Sequence, residues 1–241
     1  MPLTEAIILA GGAGTRLQGV VKNVPKPMAD IKGRPFLVYI MDYLLEHDIN
    51  RILFSVGYKH EIIRDYFGSR YKNLEIEYVV ENEPLGTGGA IKKAMEFVRE
   101  DDFLIINGDT FFNVDLKKLF LFHLSNAPIL TLSLKPMKNF DRYGTVIIDG
   151  SRVKGFEEKS FRDFGYINGG VYAVNKGICK YLKQYNDNLR FSLEIDFLQK
   201  NVNFLKISAF ISDVYFIDIG VPEDYEKAQK ELDSIFKGGI K

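Results

Sequence analysis

Gly11, Gly12 and Gly14 follow the apolar run Ala6-Ile7-Ile8-Leu9-Ala10 and lead into Thr15-Arg16-Leu17. Glycines let backbone N–H groups approach a ligand closely, and clustered N–H groups attract an anion. Two cations accompany the loop. Arg16 can fork onto phosphate oxygens, and Lys26, held between Pro25 and Pro27, offers a point charge. Prolines on both sides restrict the lysine to extended geometry, a constraint that a merely solvated lysine does not need. The stretch reads as an anion cradle, with a ligand-free turn as the alternative. Two carboxylates add a second chemistry. Asp109 follows the apolar run Phe103–Ile106, and Asp218 follows Val214–Ile217. A carboxylate at a strand end either shapes a turn or binds a divalent cation through oxygen.

The elements that must position these groups follow from periodicity. Glu5–Leu9, Arg51–Val56, Ile76–Val80, Phe103–Asn107 and Ile129–Leu134 read as strands. Phe36–His47, Glu61–Phe67, Thr87–Val98 and Leu116–Leu124 carry helical spacing between them. Alternating strands and helices predict an α/β fold with a doubly wound, mostly parallel sheet and helices on both faces. Ligands in such sheets bind beyond the carboxyl ends of the strands, where the glycine loop and Asp109 both fall. The remainder, from about residue 126, is expected to be smaller and richer in β structure. It begins with a hairpin of Gly144–Ile148 and Val153–Glu157 around Asp149-Gly150, followed by a strand at Ile167–Val174. Helices are expected at Asn175–Tyr185 and at Leu193–Lys200, the second capped by Ser192. Strands at Leu205–Phe210 and Val214–Ile217 precede a closing helix that starts at Pro222. No linker or repeat divides the chain, so residues 1–241 are expected to form one domain of two halves, about 1–125 and about 126–241.

Composition narrows the function classes. Lys+Arg and Asp+Glu both number 32, which argues against a nucleic-acid partner. One cysteine, Cys179, rules out an internal disulfide and fits a reducing compartment. The N-terminus lacks a basic segment before its short apolar run, and no stretch approaches the roughly 20 apolar residues of a membrane span. A cytoplasmic protein with no membrane partner is expected. His47, His60 and His123 are scattered and show no metal-ligand spacing.

The loop is neither of its commonest look-alikes. G-x-x-x-x-G-K-[ST] is absent, and Leu17 stands where a dinucleotide fingerprint needs glycine or alanine. Taken with Pro25-Lys26-Pro27-Met28, Gly11-Gly12-x-Gly14-Thr15-Arg16-Leu17 resembles the signature of the sugar-1-phosphate nucleotidyltransferases. Leu85-Gly86-Thr87-Gly88-Gly89-Ala90 resembles that family's base-binding loop, and Gly108-Asp109 its metal-binding turn. Glu157-Glu158-Lys159 resembles its sugar-phosphate motif, with Ser160 where proline is common. Asn168-Gly169-Gly170-Val171-Tyr172 resembles its sugar-binding strand, and Asp218-Ile219-Gly220 its second acidic turn. One departure is Gln18–Asn23, which replaces residues often found over the triphosphate.

The resemblance implies a reaction in which a sugar 1-phosphate attacks the α-phosphorus of a nucleoside triphosphate and pyrophosphate leaves. Bringing two anions together is then the main task. Arg16 would hold the triphosphate, Lys26 would bridge the two phosphates, and Asp109 and Asp218 would hold Mg²⁺. These four are the expected catalytic residues. The nucleotide site would comprise Leu9, Ala10, Gly11, Gly12, Gly14 and Thr15 with Arg16 and Lys26. Glu81, Leu85, Gly86, Thr87, Gly88, Asn107 and Gly108 would complete it. Glu81 matches the paired N1–H and amine donors of guanine, which favours GTP over dTTP, UTP or CTP. Tyr143, Gly144, Glu158, Lys159, Asn168 and Gly170 would hold the sugar phosphate. Within the family the resemblance is nearest to guanylyltransferases of D-glycero-α-D-manno-heptose 1-phosphate, which serve capsule and other surface glycans. Mannose-1-phosphate guanylyltransferase and glucose-1-phosphate enzymes using other triphosphates are the alternatives. A homodimer is expected. A non-catalytic sugar-nucleotide sensor would have lost the four catalytic residues, and all are present. A nicotinamide-dependent dehydrogenase is the remaining competitor.

Overall fold

A computed structural model describes residues 3–12, 14, 17, 21, 23–187 and 189–237, the last of these by its backbone alone. Its strands are β1 (Glu5–Ala10), β2 (Asp30–Ile31), β3 (Arg34–Pro35), β4 (Arg51–Val56), β5 (Arg70–Tyr71), β6 (Leu74–Val80) and β7 (Asp102–Asn107). They continue with β8 (Thr110–Phe112), β9 (Leu130–Phe140), β10 (Thr145–Asp149), β11 (Arg152–Glu157), β12 (Arg162–Asn175), β13 (Ile207–Ile211) and β14 (Phe216–Asp218). The helices are α1 (Phe36–Glu46), α2 (His60–Phe67), α3 (Gly86–Ala94), α4 (Leu116–Asn126), α5 (Cys179–Leu182), α6 (Gln199–Asn201) and α7 (Pro222–Lys237).

A mixed sheet runs in the order β10-β11-β13-β9-β12-β7-β1-β4-β6-β5. Its centre, β7-β1-β4-β6, is parallel. Consecutive residues of β1 feed opposite faces. Ala6, Ile8 and Ala10 join the core shared with α1, α4 and α7, whereas Ile7 joins the core shared with α3. That explains the unbroken apolar run, since a strand covered on both faces needs no polar side. The predicted fifth strand does not extend the parallel set. β12 lies between β7 and β9 and runs antiparallel to both. Beyond it, β9, β12, β10, β11 and β13 close a ring of pairings around Val146, Val153 and Leu132.

Several expected helices are shorter. α3 ends at Ala94, and Asn175–Tyr185 resolves into a single 3₁₀ turn and the short α5. Leu193–Leu198 forms a wide, π-type helix before α6, with the Ser192 hydroxyl accepting from the Ile195 N–H as expected of a cap. The hairpin β2–β3, the edge strand β5 and the short β8 carry no strong sequence pattern, whereas the strand expected at Val214–Ile217 forms as β14, Phe216–Asp218.

At the amino ends of the parallel strands, Glu5 and Arg51 form a buried ion pair, with side chains 1% and 6% exposed. Glu5 also accepts from the backbone N–H groups of Arg99 and Glu100 at 2.9 and 3.1 Å. Arg51 reaches Glu77 at 2.5 Å.

Candidate active site

The glycine loop lies at the carboxyl end of β1, beside the ends of β4 and β7. Gly14 has φ +59°, and a Cβ there would meet the Cβ of Lys26 at 2.7 Å. Glycine at 14 therefore serves both the turn and the approach of the lysine. Gly108 is fixed by packing, since its N–H donates to Leu9 O at 2.9 Å and a Cβ would stand 2.8 Å from that oxygen. Thr15 and Arg16 lie outside the described residues.

Lys26 opens a 3₁₀ turn behind Pro25 and reaches across the sheet ends. Its ammonium donates to Asp109 Oδ2 at 2.7 Å and to Asp218 Oδ1 at 3.3 Å. Asp109 follows β7, and Asp218 ends β14, whose antiparallel pairing with β8 sets Asp218 opposite Thr110. The two carboxylates predicted from separate strand ends are thus brought to one point. Burial and the neighbouring Asp109 charge push the Asp218 carboxyl above its ordinary value, against the opposing pull of Lys26. Two carboxylates served by one ammonium fit a divalent cation that completes its shell with phosphate oxygens and water. Among the described residues no group of three or more His, Cys, Asp or Glu could hold a metal alone.

A cleft of about 760 Å³ opens on one side of this point, lined by Leu9, Gly11, Gly12, Gly14, Glu81, Gly86, Thr87, Asn107 and Asp109 among others. A smaller recess of about 210 Å³ shares Leu9, Gly12, Gly14 and Asp109 and adds Ala10 and Lys26. Glu81 is turned inward. Its Oε1 accepts from the Ser55 hydroxyl and its Oε2 from the Leu85 N–H, each at 3.1 Å. Oε1 also lies against Gly11, 2.6 Å from where a Cβ would stand. Burial raises the Glu81 carboxyl above its ordinary value, and the two hydrogen bonds only partly offset this. Leu85 and Gly88 belong to the same loop but are absent from the cleft lining. They bind the backbone of Phe191, at 3.0 Å in both cases, and so hold the loop rather than face a ligand.

Of the residues expected to hold the sugar phosphate, Tyr143 lies beside Asp218 in a recess that both line. Tyr143 packs its ring 5.9 Å from that of Phe216 and feels the charges of Asp218, Asp224 and Asp109. Burial, first, raises its phenol far above the ordinary value. Gly144 passes so close to Glu157 O that a Cβ would lie 2.8 Å away. Pairing of Thr145 with both Glu157 and Ile167 brings Glu158, Lys159 and Asn168 to this end of the ring of strands. Glu158 and Lys159 are exposed and line neither the cleft nor the recess. β12 shifts register between Asn168 and Tyr172, and Gly170 takes φ +73°. Such a bulge re-aims side chains. Here it lays Gly170 against the Asn107 side chain and so joins β12 to the cleft wall.

Three cleft residues carry no sequence motif. Gly57 and Tyr58 follow β4, where strand-end geometry alone would have pointed, and Arg190 stands at the rim. Arg190 adjoins Phe191, whose backbone holds the loop at Leu85 and Gly88.

A family profile described as nucleotidyl transferase matches residues 5–234. A D-glycero-alpha-D-manno-heptose 1-phosphate guanylyltransferase of Aneurinibacillus thermoaerophilus is 56% identical over 230 residues, covering 95% of this chain and 98% of its own. One of the same name from Campylobacter jejuni is 48% identical, covering 92% and 96%. The crystal structure of HddC from Yersinia pseudotuberculosis complexed with GMP-PN superimposes with a TM-score of 0.84 at 40% identity, covering 95% and 99%.

Proposed function

The chain belongs to the nucleotidyl transferase family, and we propose that it joins GTP to D-glycero-α-D-manno-heptose 1-phosphate, giving GDP-heptose and pyrophosphate. The observation that carries the chemistry is Lys26 Nζ between Asp109 and Asp218, where the cleft meets the second half. The relatives at 56% and 48% identity support the sugar, and the inward-facing Glu81 supports the base.

In this reading the chain works as one unit. The first half holds the triphosphate along the glycine loop, with Arg16 on its phosphates. The second half holds the sugar phosphate near Tyr143, Gly144, Glu158, Lys159 and Asn168. An oxygen of the sugar phosphate attacks the α-phosphorus; one P–O bond forms, the bond to the bridging oxygen breaks, and its electron pair leaves with pyrophosphate. No protein base is required, because a phosphate monoester is mostly dianionic near pH 7. Lys26 offsets the repulsion between the two anions as they meet. Mg²⁺ on Asp109 and Asp218 would add Lewis-acid stabilisation of phosphoryl charge. The setting is the cytoplasm, the product a donor for capsule or related surface glycans. A homodimer through the second half, where Phe161 and Phe164 are exposed, belongs to the same proposal and is checked by sedimentation velocity.

Pyrophosphate release, measured by malachite green after pyrophosphatase, tests the reaction across GTP, ATP, dTTP, UTP and CTP. The partners are heptose, mannose and glucose 1-phosphates. GTP with the heptose should give the highest kcat/KM, and no release with any pair would sink the reading. A second expectation concerns Glu81. Its carboxylate must be ionised to accept from guanine. Because burial raises its pKa, KM for GTP should begin to climb at a higher pH than an ordinary glutamate would allow as the solution is acidified. Glu81→Gln should remove that limb and raise KM for GTP about tenfold, the effect of about one lost charge-assisted hydrogen bond. An unchanged pH profile in the variant would refute the assignment.

A further inference from the structure

A chain of hydrogen bonds runs from the sugar strand to the base loop, where it ends on Thr87 at the wall of the larger cleft. Asn168 Nδ2 donates to the Tyr172 hydroxyl at 2.7 Å, and that hydroxyl donates to Glu194 Oε1 at 2.9 Å. Glu194 Oε2 accepts from the Thr87 and Ser192 hydroxyls, both at 2.9 Å. Thr87 in turn accepts from the Leu193 N–H at 2.8 Å. Tyr172 is fully buried, on the bulged stretch of β12. Glu194 lies on the wide turn that begins at Leu193.

The chemistry fixes every direction in this chain. A carboxylate accepts only, so the Tyr172 proton must point at Glu194. The hydroxyl then has only lone pairs to offer Asn168, which must present its N–H₂. The other end of the amide agrees, because Asn168 Oδ1 accepts from the Gly170 N–H at 3.1 Å. We propose that Glu194 is a positioning residue that, through Tyr172, sets which face of the Asn168 amide meets the sugar phosphate. The inference rests on the reading that Asn168 contacts that substrate. One Nδ2 hydrogen and one Oδ1 lone pair remain for it. With glutamine at 194, the side-chain amide can donate to Tyr172 and its oxygen can still accept from Thr87 and Ser192. Tyr172 can then turn its proton toward Asn168, where it opposes the N–H₂ that the Gly170 bond to Oδ1 keeps in place, so the amide loses one of its two restraints. The relay is reversed while the base loop keeps its anchor.

The test compares Glu194→Gln, Tyr172→Phe and Asn168→Ala in steady-state kinetics with GTP and D-glycero-α-D-manno-heptose 1-phosphate, with melting temperatures measured alongside. Glu194→Gln and Tyr172→Phe should each raise KM for the sugar phosphate about tenfold, the scale of one hydrogen bond lost or misdirected. KM for GTP should stay within twofold. If Asn168→Ala raises KM for the sugar phosphate and the other two do not, the relay is overturned and the site reading stands. If Asn168→Ala leaves it unchanged, the site reading fails and takes the relay with it. Equal rises in both KM values with a lowered melting temperature would mark Glu194 as merely structural and overturn the proposal. Glu194→Gln is isosteric, so it keeps the test decisive should Tyr172→Phe fold poorly.

Discussion

Asp109→Asn is expected to lower kcat at least about 100-fold, with a melting temperature close to that of the parent. The size follows from removing a fixed charge aimed at a developing phosphoryl transition state, where single groups contribute about 10²–10³-fold. The stability follows from the site itself. Asp109 and Asp218 repel across a single ammonium, and Asp218 is already held above its ordinary pKa by burial and by this neighbour. Removing one of the two charges relieves that repulsion while Lys26 keeps Asp218, 3.3 Å away. Activity against added Mg²⁺ is the measurement. Near-parental turnover that still requires the metal would remove Asp109 from the machinery.

The second large effect lies at the opposite end of the parallel strands. Arg51→Met should cost about 3 kcal/mol or more, because it leaves Glu5 buried without its counter-charge. For a chain of this length each kcal/mol moves the melting temperature roughly 2–4 °C, so a fall of about 6–12 °C is expected. Adding Glu5→Gln to Arg51→Met should recover much of the loss. The amide oxygen can still accept from the N–H groups of Arg99 and Glu100, and no buried charge remains. A double variant less stable than Arg51→Met would show that the ion pair itself is not the source. Both kinetic constants for GTP should survive in either variant that folds, since the pair is remote from the glycine loop.

Much of this architecture was legible in the chain. Glu5–Leu9 and Arg51–Val56 are recognisable because a strand covered on both faces shows no alternation; both form, the first running one residue further to Ala10. The hairpin at Asp149-Gly150 also holds, with Gly150 at φ +56°. Asp109 and Asp218 could each be located at a strand end, and the fold brings them to one lysine. Strand direction was not legible. The apolar content of Ile167–Val174 is the same whether it runs with or against β7, and only the chain path inserts it antiparallel. Helices in the second half were overread: in Asn175–Tyr185 the Asn175 side chain accepts from the Gly177 N–H and opens a 3₁₀ turn, and only Cys179–Leu182 continues as α-helix. Within the site, glycines announced themselves, but their reasons differ. Gly14 yields room to Lys26, whereas Gly108 yields room to a neighbouring carbonyl. Arg190 carries no motif of its own, and Tyr172 was legible only as the end of the Asn168–Tyr172 motif, not as the hydrogen-bond partner of Glu194. Their importance depends on partners that only the fold supplies.

The short ladder β8–β14 sets a clock on biosynthesis. Lys26 must find Asp109, 83 residues later, and Asp218, 192 residues later, before the charge cluster exists. Domains emerge from the ribosome from the amino end, so the glycine loop and the parallel strands are made long before Asp218 leaves the exit tunnel. Until β14 docks on β8, the nascent chain has the glycine loop and the parallel strands but lacks Asp218 beside Lys26. β14 is the last of the described strands to be synthesised, so on the proposed reading it completes the site, and a chain that stops short of Phe216 is expected to release no pyrophosphate.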